Sequence, residues 1–291
     1  MEVRTDLALE DRELRGDFTG GVQEREQDGC RVTTLTVGAS EESIYHKPRG
    51  TYITIEMKPL SDHIDSDNAY CTVLAQELGS LLPEKGMALV AGLGNRSITP
   101  DALGPKTAEQ VLATRHITGE LEKLTGHAYF RPVVSVSPNV LGNTGMEALE
   151  VLESLIRQLH PAVVIVVDAL ASRSLGRLGC TVQLSDAGIA PGSGVGNSRP
   201  AINAETLGVP VIAMGVPTVV DAVTLAGELL EESGGTFDRQ IEQAVSPRGA
   251  GMIVTPREID LLIDRASHLV AMAINTSLNP FFDVDTFAAL V

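Results

Sequence analysis

The chain has 291 residues, 43% of them hydrophobic, and a formal net charge of -16. That length and apolar share suffice for one large α/β domain or two small ones with a sizeable core, and they exclude a mainly disordered chain. The strongly acidic balance repels phosphate backbones, which argues against direct nucleic-acid binding and suits neutral or basic protein partners. Aromatics are only 3% and Trp is absent, so the core must rely on Val, Ile, Leu and Ala, the composition of buried parallel strands and their covering helices. Cys30, Cys71 and Cys180 are scattered and odd in number, which fits a reduced cytoplasmic compartment better than a disulfide framework. The opening MEVRTDLALE lacks the apolar run of a signal peptide, and no apolar stretch approaches the roughly 20 residues of a membrane helix.

Residues 1–66 are polar and hold two β-like runs, 30–37 and 51–57, rich in Val, Thr and Ile. They read as an N-terminal β-rich extension packed on a main α/β domain that spans 67–291. From there the pattern alternates. Residues 68–82 have helical spacing, 87–93 form a short buried strand, and 106–116 read as a helix after Pro100 and Pro105. Residues 132–136 are a strand. Residues 145–160 are a helix with Met146, Leu149, Leu152 and Leu155 as its apolar stripe. The most apolar strand covers 162–167 and ends at Asp168; further strands cover 181–184 and 211–214. Helices at 221–230 and 256–274 close the domain, the second with Thr255 as its expected N-cap. Strands alternating with helices imply right-handed βαβ units and a central, mainly parallel sheet flanked by helices. In such sheets the site lies outside the carboxyl ends of the strands, so the residues after each strand deserve the closest reading.

Two aspartates meet that test. Asp101 follows the strand at 87–93 through GLGNRSITPD, and Asp168 closes the strand at 162–167. Burial raises a carboxyl pKa, and a second carboxylate nearby raises one of the pair further. Such a pair can share a proton and act on a water as base and acid, the logic of peptide hydrolysis by paired carboxylates. Helix capping or turn bracing by each Asp is the competing reading, and spacing alone leaves both open.

The stretch DAGIAPGSGVGN, 186–197, carries alternating Gly192, Gly194 and Gly196. It has neither the GxGxxG spacing nor a Walker Lys-Ser/Thr, so a structural loop or one lining a peptide cleft fits better than a phosphate cradle. Ser193 lacks a G-x-S-x-G elbow, Ser137 and Ser172 have no distinguishing context, and Cys180 reads as core. The six histidines do not cluster and no H-E-x-x-H occurs; His116 and His160 end predicted helices, where a cation suits the dipole.

The segments VRTDLALE (3–10), GLGNRSITPDALGPK (92–106), TRHI (114–117), GNTGMEALE (142–150), VVDALASRS (166–174), SDAGIAPGSGVGN (185–197), TLGVPVIAMGVPTVVDA (206–222) and MIVTPREID (252–260) together resemble the germination protease family. They run in that family's order over nearly the whole chain, and TPDALGP and PGSGVGN are long and unusual. The resemblance implies an endopeptidase that cleaves small acid-soluble spore proteins early in germination, a homotetramer of the spore core, and a fold similar to that of the hydrogenase maturation peptidases. It also implies that Asp101 and Asp168 are the catalytic pair, with no cofactor required. A metal-assisted peptidase using the same aspartates and a non-catalytic binder of spore proteins are the alternatives. Asn95 and the 192–197 loop (Gly192, Ser193, Gly194, Gly196, Asn197) are candidates for substrate binding or oxyanion stabilisation. Family members are made as zymogens with a short propeptide; here VRTDLA begins at residue 3, and the segment between Glu228 and Met252 is shorter than in some members.

Overall fold

The computed structural model describes residues 5–15, 21–45, 47–65, 67–117, 130–197, 199–235 and 252–282, with Lys123, Ile241 and Phe287. In chain order the main elements are α1 (Ala8–Arg15), β1 (Val22–Gln27), β2 (Cys30–Val37), β3 (Gly50–Glu56), α2 (Ala69–Leu81), β4 (Ala88–Gly92), α3 (Leu103–Gln110), β5 (Val133–Val136), α4 (Ala148–Leu159), β6 (Val163–Ser172), β7 (Thr181–Ser185), β8 (Val211–Asp221), α5 (Ala222–Glu232), β9 (Ile253–Val254) and α6 (Ile259–Leu278).

All the strands join one sheet in the order β1-β2-β3-β7-β8-β6-β4-β5, with β9 on the end of β8. The run β8-β6-β4-β5 is parallel and forms the heart of the molecule. The strands before residue 67 continue the same sheet, because β3 pairs antiparallel with β7 and β7 antiparallel with β8. Period-two alternation sends Val163, Ile165 and Val167 of β6 to one face and Val164 and Val166 to the other. On the first face they meet α2 and α6 through Leu74, Leu78, Ile263, Val270 and Ile274. On the second they meet Leu152 and Ile156 of α4 and the turn carrying Ile202 and Leu207. Both faces being covered explains why the central strands read as unbroken apolar runs.

The structure corrects several boundaries. Strand β6 runs to Ser172 and β8 to Asp221, where the sequence pattern ended them at 167 and 214. Small and apolar residues keep the two strands paired up to Ser172 with Val220, through a register shift between Leu170 and Ala171. Asp168 therefore lies inside β6. Its neighbour β4, however, ends at Gly92 opposite Val167, so Asp168 is the first residue of β6 without β4 beside it. Helix α3 starts at Leu103 rather than 106, since Pro105 sits in the first turn where its missing N–H costs nothing; it ends before Val111, which is extended. His116 consequently lies in a turn beyond the helix, not at its end. His160 does close α4, as its left-handed C-cap with φ 51°. Thr255 is not the N-cap of α6: Glu258 holds that position, and the Thr255 hydroxyl donates to Pro256 O at 3.0 Å.

The N-terminal segment is pinned from two sides. Ala8 N–H donates to Gln183 Oε1 of β7 at 2.7 Å, and Lys47 Nζ donates to Thr5 O and Asp6 O at 3.2 and 3.1 Å while pairing with Asp11 at 3.1 Å. Glu10 of α1, only 1% exposed, accepts the N–H groups of Arg173 and Ser174 and pairs with Arg177, which also holds Glu13 and Glu56. Removing Arg177 leaves the buried Glu10 short of its countercharge. Arg177→Ala is expected to lower stability by about 3 kcal/mol. Urea unfolding measures this, and an unchanged midpoint would show that the cluster is energetically idle.

Candidate active site

Strand order reverses around β4 and β6. From β4 the chain passes to β5 at one edge, whereas from β6 it passes to β7 on the other side of β8. Ligands of open α/β sheets sit in the crevice outside the carboxyl ends of the strands at such a point. A cavity of about 460 Å³ occupies it, lined among others by Asp6, Asn95, Asp101, Asn139, Asp168 and Arg199.

Asp101 is placed by the turn after β4. Gly94 has φ +106°, and a Cβ there would stand 2.2 Å from Asp101 O and 2.9 Å from its Oδ1, so only glycine allows the chain to fold back this tightly. Asn95 N–H donates to Asp101 Oδ2 at 2.7 Å, Asp101 N–H donates to Ile98 O at 2.8 Å, and Thr218 of β8 holds Pro100 O at 2.8 Å. The carboxyl is partly exposed to the cavity. Burial raises its pKa above the usual carboxylate value, and the Asn95 N–H bond pulls the other way.

Asp168 is 5% exposed. Its Oδ1 accepts the Ala169 N–H at 2.9 Å, and its Oδ2 has no hydrogen-bond partner among the described residues. Burial, then the charge of Asp101, then that of Asp6 push its pKa well above the ordinary range, outweighing the Ala169 bond. Two carboxyls with unequal environments therefore face one cavity: one more solvated, the other deeply buried and biased toward its protonated form.

The glycine loop splits around this arrangement. Gly192 and Asn197 line the cavity with Asp101 and Asp168. Ser193 and Gly196 line a neighbouring cavity of about 690 Å³, and Gly194 is buried. The N–H groups of Ser193, Val195, Gly196 and Asn197 all donate to carbonyls inside the loop. Asn95 uses its Oδ1 to accept the Ser97 N–H at 3.0 Å, which leaves its amide Nδ2 without a partner among the described residues at the cavity wall. Among the described residues no group of three or more His, Cys, Asp or Glu is arranged to hold a metal ion. No helix among them is long and apolar enough to cross a membrane.

Sequence reasoning passed over Asp6. It follows no strand, and its one signal in the sequence is its place in the VRTDLALE segment.

The comparisons bear on the whole chain. Residues 4–243 match the family model described as germination protease. A germination protease of Caldanaerobacter subterraneus is 40% identical over 309 residues, covering 96% of this chain and 95% of the relative. Germination proteases of Clostridium perfringens (38% identical, 96% and 95% covered) and Bacillus pumilus (33% identical, 99% and 96% covered) align over similar extents. Among solved structures, a NiFe hydrogenase maturation protease from Thermococcus kodakarensis aligns with 68% of this chain and 98% of its own at 18% identity, with a TM-score of 0.37.

Proposed function

The chain belongs to the germination protease family, and from that premise we propose that it is an endopeptidase that begins the degradation of small acid-soluble spore proteins, using water activated between Asp101 and Asp168. The observation that carries the reading is the pairing of a partly exposed and a buried carboxyl on one cavity outside the ends of β4 and β6.

In this mechanism Asp101, the more solvated member, is ionised and takes a proton from water as the water oxygen bonds to the peptide carbonyl carbon. Asp168 enters protonated and gives its proton to the amide nitrogen as the C–N bond breaks. The proton left on Asp101 then returns to Asp168 through solvent, and the cycle closes. Asn95 Nδ2 is the donor with capacity for the developing oxyanion, since the loop N–H groups named above are already engaged. Losing one such donor costs about 10²–10³ in turnover elsewhere. Asn95→Ala should show a loss of that order in kcat, and unchanged turnover would remove Asn95 from the mechanism.

We extend the reading to a homotetramer working in the spore core, which light scattering on the purified chain checks. The function itself is tested by mixing the purified chain with a small acid-soluble spore protein and following fragments by mass spectrometry, with and without a chelator. Cleavage at a few defined sites, indifferent to chelator, is the expected result. Loss of cleavage on chelation would turn the two aspartates into metal ligands, and no cleavage in either condition would contradict the assignment.

A further inference from the structure

Asp6 stands where three elements converge. Its N–H donates to Ala171 O at 2.9 Å, and its Oδ2 accepts the Ala171 N–H at 2.8 Å, so it closes the edge of β6 that β4 leaves open three residues beyond Asp168. Its Oδ1 accepts the Ser193 hydroxyl at 2.7 Å. Gly194 packs against it so closely that a Cβ there would lie 2.4 Å from Asp6 Oδ2 and 2.7 Å from Ala171 Cβ. The Asp6 carbonyl is held in turn by Lys47 and by Gln183 Nε2 at 3.1 Å each. Asp6 also lines both cavities.

We propose that Asp6 is the positioning residue of this site: it ties the 192–197 loop to the strand carrying Asp168 and places its carboxylate on the same cavity as that carboxyl. The proposal rests on the peptidase reading given above. The Asp6 carboxylate accepts two hydrogen bonds, whereas Asp168 has one bond and deep burial. The charges around the pair are Asp101 on the turn after β4, Lys47 with its partner Asp11 behind the Asp6 backbone, Glu10 on α1 with its partner Arg177, and the Arg199–Glu147 pair on the cavity wall. Lys47 is paired with Asp11, whose opposite charge offsets its own. The sign follows. With Asp6 ionised, Asp168 holds its proton to higher pH, which keeps the acid of the pair loaded; neutralising Asp6 lets that proton leave at lower pH.

The test compares wild type, Asp6→Asn and Ser193→Ala by infrared titration of the buried carboxyl, with Asp168→Asn identifying its band, and by the pH profile of kcat/KM on a small acid-soluble spore protein. In Asp6→Asn the Asp168 band should titrate at lower pH than in wild type, and the basic limb of the profile should move the same way. Ser193→Ala should leave the titration in place and lose about five- to tenfold in turnover, the worth of one hydrogen bond. If Asp6→Asn does not fold, Asp6→Ser, which also lacks the charge, replaces it in the comparison. An unshifted band, or a loss of turnover equal at every pH, would overturn the proposal. If wild type cuts nothing, the peptidase reading falls alone, because the infrared titration still decides the role of Asp6.

Discussion

At neutral pH the Asp168→Asn chain should melt at a higher temperature than wild type while turning over far more slowly. The folded pKa of Asp168 is raised well above its unfolded value of roughly 3.9, so the native state binds the proton more tightly than the unfolded chain does. For this group, wild-type stability is therefore undiminished in acid, below the unfolded pKa. It falls as pH rises past that value and keeps falling until the folded pKa is reached. Asparagine reproduces the neutral form, keeps an Oδ1 for the Ala169 N–H, and removes the carboxyl that the unfolded chain ionises more readily than the folded one. For a chain of this size each kcal/mol recovered should appear as about 2–4 °C in Tm. Calorimetry across pH reads this directly. The gain should vanish in acid, and a variant less stable than wild type at neutral pH would mean that the buried carboxyl is not under strain.

Gly104→Ala should lower stability strongly. A Cβ at Gly104 would meet Leu93 O at 2.2 Å, Leu93 N at 2.5 Å and Val167 O at 2.5 Å, and one at Gly92 would meet Gly104 O at 1.9 Å. Every one of these neighbours is backbone, so relief requires α3 to lift off the ends of β4 and β6. That shift would carry the Asp101 turn with it, because α3 begins two residues later. We expect a cost of about 3 kcal/mol or more and a parallel loss of activity. Gly142, with nothing within 4 Å of its would-be Cβ, is the control: Gly142→Ala should be neutral or slightly stabilising. Equal melting temperatures for the two variants would show that the close approach of α3 to β4 is not needed.

The parallel centre of the sheet was readable because it is buried on both faces, which writes Val163–Val167 and Val211–Met214 as apolar runs. The polar edge was not. Strand β1 (VQEREQ) is mostly exposed and has no alternation; pairing with β2 makes it a strand, and its signal was the Asp28-Gly29 turn, with φ of 50° and 79°. Helix α1 was missed for a related reason: its few apolar residues become meaningful only when Ala8 meets Leu35, Val37 and Tyr52. Asp101 and Asp168 could be singled out because the rule about strand ends depends on topology, and β4 stops one residue before Asp168 in the pairing register. Asp6 could not, since its contacts with Ala171 and Ser193 span more than 160 positions of sequence and no local pattern encodes them.

The central claim is that both carboxyls act in one proton-transfer cycle. Turnover of a small acid-soluble spore protein by wild type, Asp101→Asn and Asp168→Asn, each shown folded by its melting curve, tests it most directly. Either substitution alone should lower kcat by about 10²–10⁴ without unfolding the chain. A folded variant of either kind that cuts as fast as wild type would contradict it.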